Sequence, residues 1–289
     1  MSSLKQLRNR IKSVASTQKI TAAMKMVAAA KLRRMEENVK NSKPFRNTVQ
    51  KTLNKIAAYG EIEKLPKSAT GSDSPPLFIL FSSDKGLCGG FNATMFKTFT
   101  KAILPYTENL KPFFCLGFGH RASQFLKKNY EKNMIHNFEH FDPINSHTIL
   151  KTTKMLKDLV ESSKIGRIIV VYTAYKNVIN LIPTVETLIP LKLELNKNLK
   201  DEKDIYLFEP KASSMLHDII ELYLSSQILN YQFNSETCEH AARMTAMENS
   251  TQNAKEIVAK LKLTYNRTRQ TLITKELIEI ISGAKAATD

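Results

Sequence analysis

Glycine and proline are missing where a chain of short elements would need them. No Gly precedes Gly60, no Pro precedes Pro44, and from Lys211 to Ser282, 72 residues, neither occurs. Tight reversals depend on these two residues, so their absence excludes a series of turns at either end and leaves one long helix at each. At ~1.5 Å per residue the C-terminal stretch would run about 108 Å and residues 3–57 about 80 Å. Ordinary helices average about 11–12 residues, so these two are read as a shaft.

Other scarcities narrow the class. Only three cysteines occur, Cys88, Cys115 and Cys238. Their odd number and wide spacing exclude a paired disulfide framework and a Cys-rich zinc site, and fit a reducing compartment. No run approaches the ~18–20 apolar residues of a membrane span. The N-terminus lacks the apolar core of a secretory signal, and a cleaved transit peptide fits poorly because the helical pattern begins by Leu4. Acidic residues are few: 27 against 43 basic ones, a net charge of +16. Among residues 1–46, twelve side chains are basic and only Glu36 and Glu37 are acidic. Such a field attracts an acidic partner; nucleic acid, an anionic membrane surface and an acidic protein cavity all qualify.

Within the N-terminal helix Leu4, Leu7, Ile11 and Val14 follow heptad spacing, and Ala28, Leu32, Met35 and Val39 fall on the same positions. Gln18, Thr21 and Lys25 hold those positions between them, while Ile20, Met24 and Val27 form a displaced stripe. The expectation is a seam that shifts around the helix midway. Met244, Met247, Thr251, Ala254, Val258, Leu261, Tyr265, Thr268 and Leu272 keep strict 3-4 alternation near the C-terminus, the period of a left-handed supercoil. Many of these residues are small or polar, which points to modest antiparallel pairing of the two ends rather than a homodimeric zipper. The unequal lengths leave the C-terminal helix overhanging by roughly 15 residues, about 20–25 Å. In that overhang Ile273, Leu277, Ile280 and Ala284 form an apolar stripe that needs a socket from outside the chain.

Between the helices the period changes. The turn-rich segment 68–76 precedes an apolar run, Leu77 to Phe81; 113–116 and 167–172 are two more, and helical patterns cover 92–104, 120–130 and 147–163. This alternation predicts a small, largely parallel α/β sheet. Residues 179–195 read as a further strand or hairpin, with Pro183 and Pro190 at edges or turns. The organisation expected is helix 1–58, linker 59–76, α/β domain 77–208 and helix 209–289.

Candidate chemistry is sparse. Ser82 to Asn92 makes a Gly-rich turn from strand to helix, where phosphates bind in nucleotide folds. It matches neither the Walker A spacing nor the dinucleotide fingerprint, and Lys85 precedes the glycines, so a structural or partner-contacting turn is the favoured reading. His136 and His140, with His147 beyond, have metal-like spacing only on a helix, and their surroundings suggest a strand end and loop. Ser82, Ser83 and Cys88 show no His or Asp partner by spacing. The basic helix could be a nucleic-acid arm, but its charges are spread around it and no aromatic residue precedes Phe45. A basic coiled-coil nucleic-acid binder and a small nucleotide-binding enzyme with helical arms remain the rival classes.

Three blocks carry a resemblance to a known family: Leu4 to Ile11 (LKQLRNRI) with Thr17 to Lys31 (TQKITAAMKMVAAAK); Ser83 to Asn92 (SDKGLCGGFN); and Arg243 to Met247 (RMTAM) with Ile273 to Ala284 (ITKELIEIISGA). The chain resembles the gamma subunit of F-type ATP synthase along essentially its whole length. The fold the resemblance implies is an antiparallel coiled coil of the terminal helices plus a central Rossmann-like α/β domain. The role it implies is a non-catalytic rotor without a cofactor, coupling proton flow to ATP synthesis or hydrolysis by turning inside the alpha/beta hexamer. Implied partners are the alpha and beta subunits, an epsilon-type subunit and the membrane c-subunit ring, with no nucleic acid. The implied location is peripheral, on the cytoplasmic face of a bacterial inner membrane, or the matrix face if organellar. By the same resemblance Met24, Lys25, Arg243, Arg269, Gln270, Thr274 and Glu276 face beta-subunit loops. Ile273, Leu277, Ile280 and Ala284 enter the apical bearing. Asp84, Lys85, Gly86 and Gly89 form the turn on the epsilon and membrane-ring side, where Lys85 replaces a common Arg and offers a weaker fork to a carboxylate.

Overall fold

The computed structural model of the chain describes residues 4–59, 67–138, 146–192, 209 and 212–286. The elements run α1 (Leu4–Tyr59), α2 (Lys67–Thr70), β1 (Pro76–Phe81), α3 (Phe91–Glu108), β2 (Phe114–Phe118), α4 (His120–Tyr130), β3 (Met134–Phe138), α5 (Ser146–Glu161), β4 (Arg167–Tyr175), β5 (Leu181–Ile189) and α6 (Ala212–Ala286). The terminal helices are unbroken over 56 and 75 residues. Pro44 lies inside α1, where it removes one backbone donor. Two compact units result, Met1–Ala29 with Arg243–Asp289, and Ala30–Ala242. Both long helices contribute residues to each unit.

The larger unit is built on a five-stranded sheet in the order β3-β2-β1-β4-β5, parallel except for β5. Central β1 is buried at all six positions, which explains its uninterrupted apolar sequence, since a parallel strand covered on both faces needs no polar alternation. At the antiparallel edge β5 carries Pro183 within the strand; an edge position tolerates the missing N–H. Two apolar cores flank the sheet. One joins Leu77, Ile79, Phe81, Ile168 and Val170 to Val49, Leu53 and Ile56 of α1, Leu156 and Val160 of α5, and Leu216, Leu224 and Tyr231 of α6. The other joins Phe78, Leu80, Cys115 and Val171 to Phe91, Met95 and Phe99 of α3, Leu126 of α4 and Cys238 of α6. Rings at Phe81, Phe118 and Phe138 stack in sequence at 4.6 and 4.9 Å across three strands. The segment around His136, expected as a strand end and loop, holds the edge strand β3, which ends at Phe138 beside Phe118 of β2, and the expected loop lies outside the described residues. Residues 193–195 of the expected strand or hairpin lie outside the described residues.

In the smaller unit the two helices pair antiparallel. Lys25 bridges to Glu248, and Thr21 bonds Thr251 at 2.7 Å, so one number rises as the other falls. The expectation of a shifting seam is corrected here. Gln18, Thr21 and Lys25 are all half-buried on the original heptad positions, whereas of the displaced stripe only Met24 is half-buried, Ile20 being 57 % and Val27 58 % exposed. The register runs straight because Thr21 and Lys25 find polar partners across it, so the geometry of a constant 3.5-residue repeat prevails over local apolarity. Along α6, Thr251, Ala254, Val258, Leu261, Tyr265 and Thr268 are buried or half-buried, and every other residue between them is exposed.

Candidate partner-binding surfaces

Lys25, read as facing an acidic partner, already holds an intramolecular one: its side chain is 43 % exposed and that of Glu248 51 %. A pair this wet is weak and exchangeable, worth at most about 1 kcal/mol. Met24 beside it is half-buried, as is Arg243 on α6. The apolar residues turned outward on this part of α1 are instead Ile20, Met26 and Val27. They stand on a strongly basic helix as an apolar track; Ile20 and Val27 belong to the stripe expected in the seam, and Met26 does not. The signal that could have found them was the heptad count itself, carried through polar residues.

Further along α6 the surroundings thin out. Carrying the Thr21–Thr251 register along both helices brings Leu4 level with Thr268. From Thr271 to Ser282 every residue is exposed. Arg269, Gln270 and Glu276 are exposed, and the Thr274 hydroxyl donates to the Gln270 carbonyl of its own helix at 2.9 Å. Ile273, Leu277 and Ile280 are uncovered, and so are Ile278 and Ile281. The apolar tip is therefore wider than the single expected stripe. Ala284 lies in α6 but outside the described side chains.

The glycine turn belongs to the larger unit and is stitched from within. Ser83 donates its backbone N–H to Asn92 Oδ1 at 3.2 Å, and Asn92 Nδ2 donates to Ser83 Oγ at 2.7 Å and to Cys88 Sγ at 3.3 Å. Asp84 Oδ1 accepts the N–H of His120 at 3.0 Å, the Ser83 carbonyl that of Arg121 at 3.1 Å, and Ser82 Oγ that of Ala122 at 2.6 Å. The first N–H groups of a helix are otherwise orphans, and here the turn after β1 caps α4 with a carboxylate where its dipole favours negative charge. Gly119 adopts φ 93°, and a Cβ there would lie 2.4 Å from the Ser82 carbonyl oxygen. Gly89 takes φ 57° and Leu87 φ 63°, while Lys85 and Leu87 point outward. The first donors of α4 are thus occupied by this chain's own Ser82, Ser83 and Asp84.

Ser83 and Cys88 meet each other at 3.8 Å with Asn92 beside them, a set that contains no general base. Cys115 and Cys238 are buried, and burial pushes both thiols up to about 12, which keeps them neutral. Among the described residues no three His, Cys, Asp or Glu side chains stand together as metal ligands. His136 is exposed and sits edge-on to Phe138 at 4.6 Å; His140 lies outside the described residues.

Comparison with known proteins matches residues 3–287 to the family described as ATP synthase. The ATP synthase gamma chain of Pelagibacter ubique is 39% identical over 292 residues, covering 99% of this chain and 100% of that one. That of Parvibaculum lavamentivorans is 37% identical with the same coverage. Among solved structures, the central stalk and c-ring of Tetrahymena thermophila mitochondrial ATP synthase contains a chain 26% identical with TM-score 0.61, covering 80% of this chain and 98% of that one. A chain of Euglena gracilis mitochondrial ATP synthase shares the fold, with TM-score 0.67 at 18% identity over 98% of this chain and 94% of that one.

Proposed function

The chain belongs to the ATP synthase gamma-chain family and is a rotor subunit of F-type ATP synthase; from that premise we propose which of its surfaces do the coupling. The observation that carries the assignment is the apolar end of α6, exposed at Ile273, Leu277, Ile278, Ile280 and Ile281 past the level of Leu4. Five large apolar side chains on one helix end lose favourable burial worth about 1.5–3 kcal/mol each when left in water. They fit a sleeve of other subunits, the apical bearing of an alpha/beta hexamer.

Arg269, Gln270, Thr274 and Glu276 lie just before or within that end, exposed and polar, as contacts to beta-subunit loops require if they are to be made and broken in turn. Met24, Lys25 and Arg243 serve the same purpose lower on the smaller unit, and Ile20, Met26 and Val27 extend it with apolar contact. Screened, exposed charges bind weakly and reversibly, which permits rotation. The subunit performs no catalysis itself. Its asymmetry imposes different states on the beta subunits as it turns.

Asp84, Lys85, Gly86 and Gly89 are assigned to the side that meets the epsilon-type subunit and the c-subunit ring; outward Lys85 and Leu87 support this reading. The chain is a peripheral part of a membrane-bound complex, and no described helix is long and apolar enough to cross a membrane. The face proposed is the cytoplasmic one of a bacterial inner membrane, or the matrix face if organellar; similarity to bacterial gamma chains over 99% of this chain supports the first. Co-purification with a tagged full chain tests the assignment: alpha, beta, epsilon-type and c-ring subunits should come down together. A preparation that brings down none of them overturns it.

A further inference from the structure

In the larger unit α1 and α6 lie on the sheet mainly through apolar contacts. Such contacts oppose separation but are non-directional, so they resist twisting of a helix against the sheet poorly. Directional bonds between these elements concentrate at the end of β4. The Tyr175 hydroxyl donates to Glu36 Oε1 of α1. Its own N–H donates to Asn234 Oδ1 of α6 at 3.3 Å. Cys238 Sγ, one turn further along α6, donates to the Thr173 carbonyl at 3.5 Å.

Each member is held from behind. Asn234 Nδ2 donates to the Asn230 carbonyl at 2.8 Å and to its Oδ1 at 3.0 Å, which fixes the amide so that its oxygen faces Tyr175. The Tyr175 ring packs on the second apolar core. Thus one residue ties the sheet to both long helices, near where each leaves the larger unit for the smaller.

We propose that Tyr175 is a positioning residue for torque transfer: through Glu36 and Asn234 it makes the end of β4 a joint at which the sheet, α1 and α6 turn together. The proposal rests on the rotor assignment. A hydrogen bond to a carboxylate is stronger and shorter than a neutral one, and its loss lets the joint open more often.

The test uses the assembled complex with the full chain as parent, Tyr175→Phe, Glu36→Ala or Glu36→Gln. In complexes held still by an inhibitory nucleotide, the angular fluctuation of a bead on the α/β domain reports the stiffness of the joint. Tyr175→Phe and Glu36→Ala should widen it and lower the ratio of protons pumped to ATP hydrolysed, with hydrolysis itself retained. Exchange of the Tyr175 amide should accelerate about 10- to 150-fold in these two variants, the loss expected for a hydrogen bond to a charged group. Glu36→Gln keeps an acceptor and should restore most of the stiffness. Parent-like fluctuation and proton ratio in Tyr175→Phe, with a rotating parent complex, overturn the proposal; should that variant fail to assemble, the same result in Glu36→Ala does so. A parent complex that does not rotate overturns the rotor assignment instead.

Discussion

Thr21 and Thr251 share a hydrogen bond, Oγ1 to Oγ1 at 2.7 Å, in the seam between the two terminal helices. Thr251 also bonds the Met247 carbonyl at 2.7 Å, and Thr21 the Gln18 carbonyl at 3.1 Å. Two hydroxyl protons serve three acceptors here, so the Thr251 proton is shared between the bond across the seam and the carbonyl of its own helix. A seam of this kind holds register without the strong burial of a Leu-rich zipper.

The register predicts a charge-swap result. Lys25→Glu faces Glu248 with like charge and should lower stability by a few tenths to about 1 kcal/mol, the range for exposed pairs. Adding Glu248→Lys should return most of that loss. Urea unfolding of the three variants checks it; no recovery in the double variant contradicts the antiparallel pairing.

The tip predicts a separation of stability from assembly. Leu277→Lys and Ile280→Lys change exposed positions and should move the unfolding free energy of the full chain by no more than about 0.5 kcal/mol. Retention by the alpha/beta ring in size-exclusion chromatography should drop sharply. Equal retention removes the tip from the bearing.

The capped start of α4 predicts a large cost for a small substitution. Gly119→Ala adds a methyl 2.4 Å from the Ser82 carbonyl oxygen at φ 93°, and should destabilise by about 1–3 kcal/mol. Asp84→Ala, which removes the acceptor of the His120 N–H, should cost about 0.5–2 kcal/mol, and Asp84→Asn less. Thermal denaturation ranks the three.

Alkali should destabilise the protein before it reaches pH 12. Burial raises the Cys115 and Cys238 thiols from 9.0 to about 12 and the Tyr223 phenol from 10.0 to about 12. The folded chain then keeps protons that the unfolded chain releases, so the unfolded state binds fewer and stability falls as pH rises. Stability from these groups is complete below about pH 9 and is lost progressively up to about 12. Melting temperatures measured from pH 8 to 11.5 should decline throughout; a flat profile contradicts the burial.

Much of the architecture was legible in the residue order, because it depends on backbone constraints that act locally. The absence of Gly and Pro sets two long helices, strict 3-4 spacing marks the seam of α6, and the uninterrupted run Leu77 to Phe81 marks a strand covered on both faces. The resemblance carried by the terminal blocks and the glycine turn led to the family. What tertiary structure alone decided was how side chains of similar character are divided between covered and open faces. Ile20 and Val27 are as apolar as any seam residue, yet they face out, because Thr21 and Lys25 gain partners on a helix more than two hundred residues away. Asp84 is one more acidic residue in a turn until the start of α4 arrives to use it. Tyr175 ends a strand in the sequence, and only folding sets Glu36 and Asn234 against it. Local propensity is written in neighbours along the chain, but a hydrogen bond or a buried face needs two surfaces, and the second is supplied by the fold.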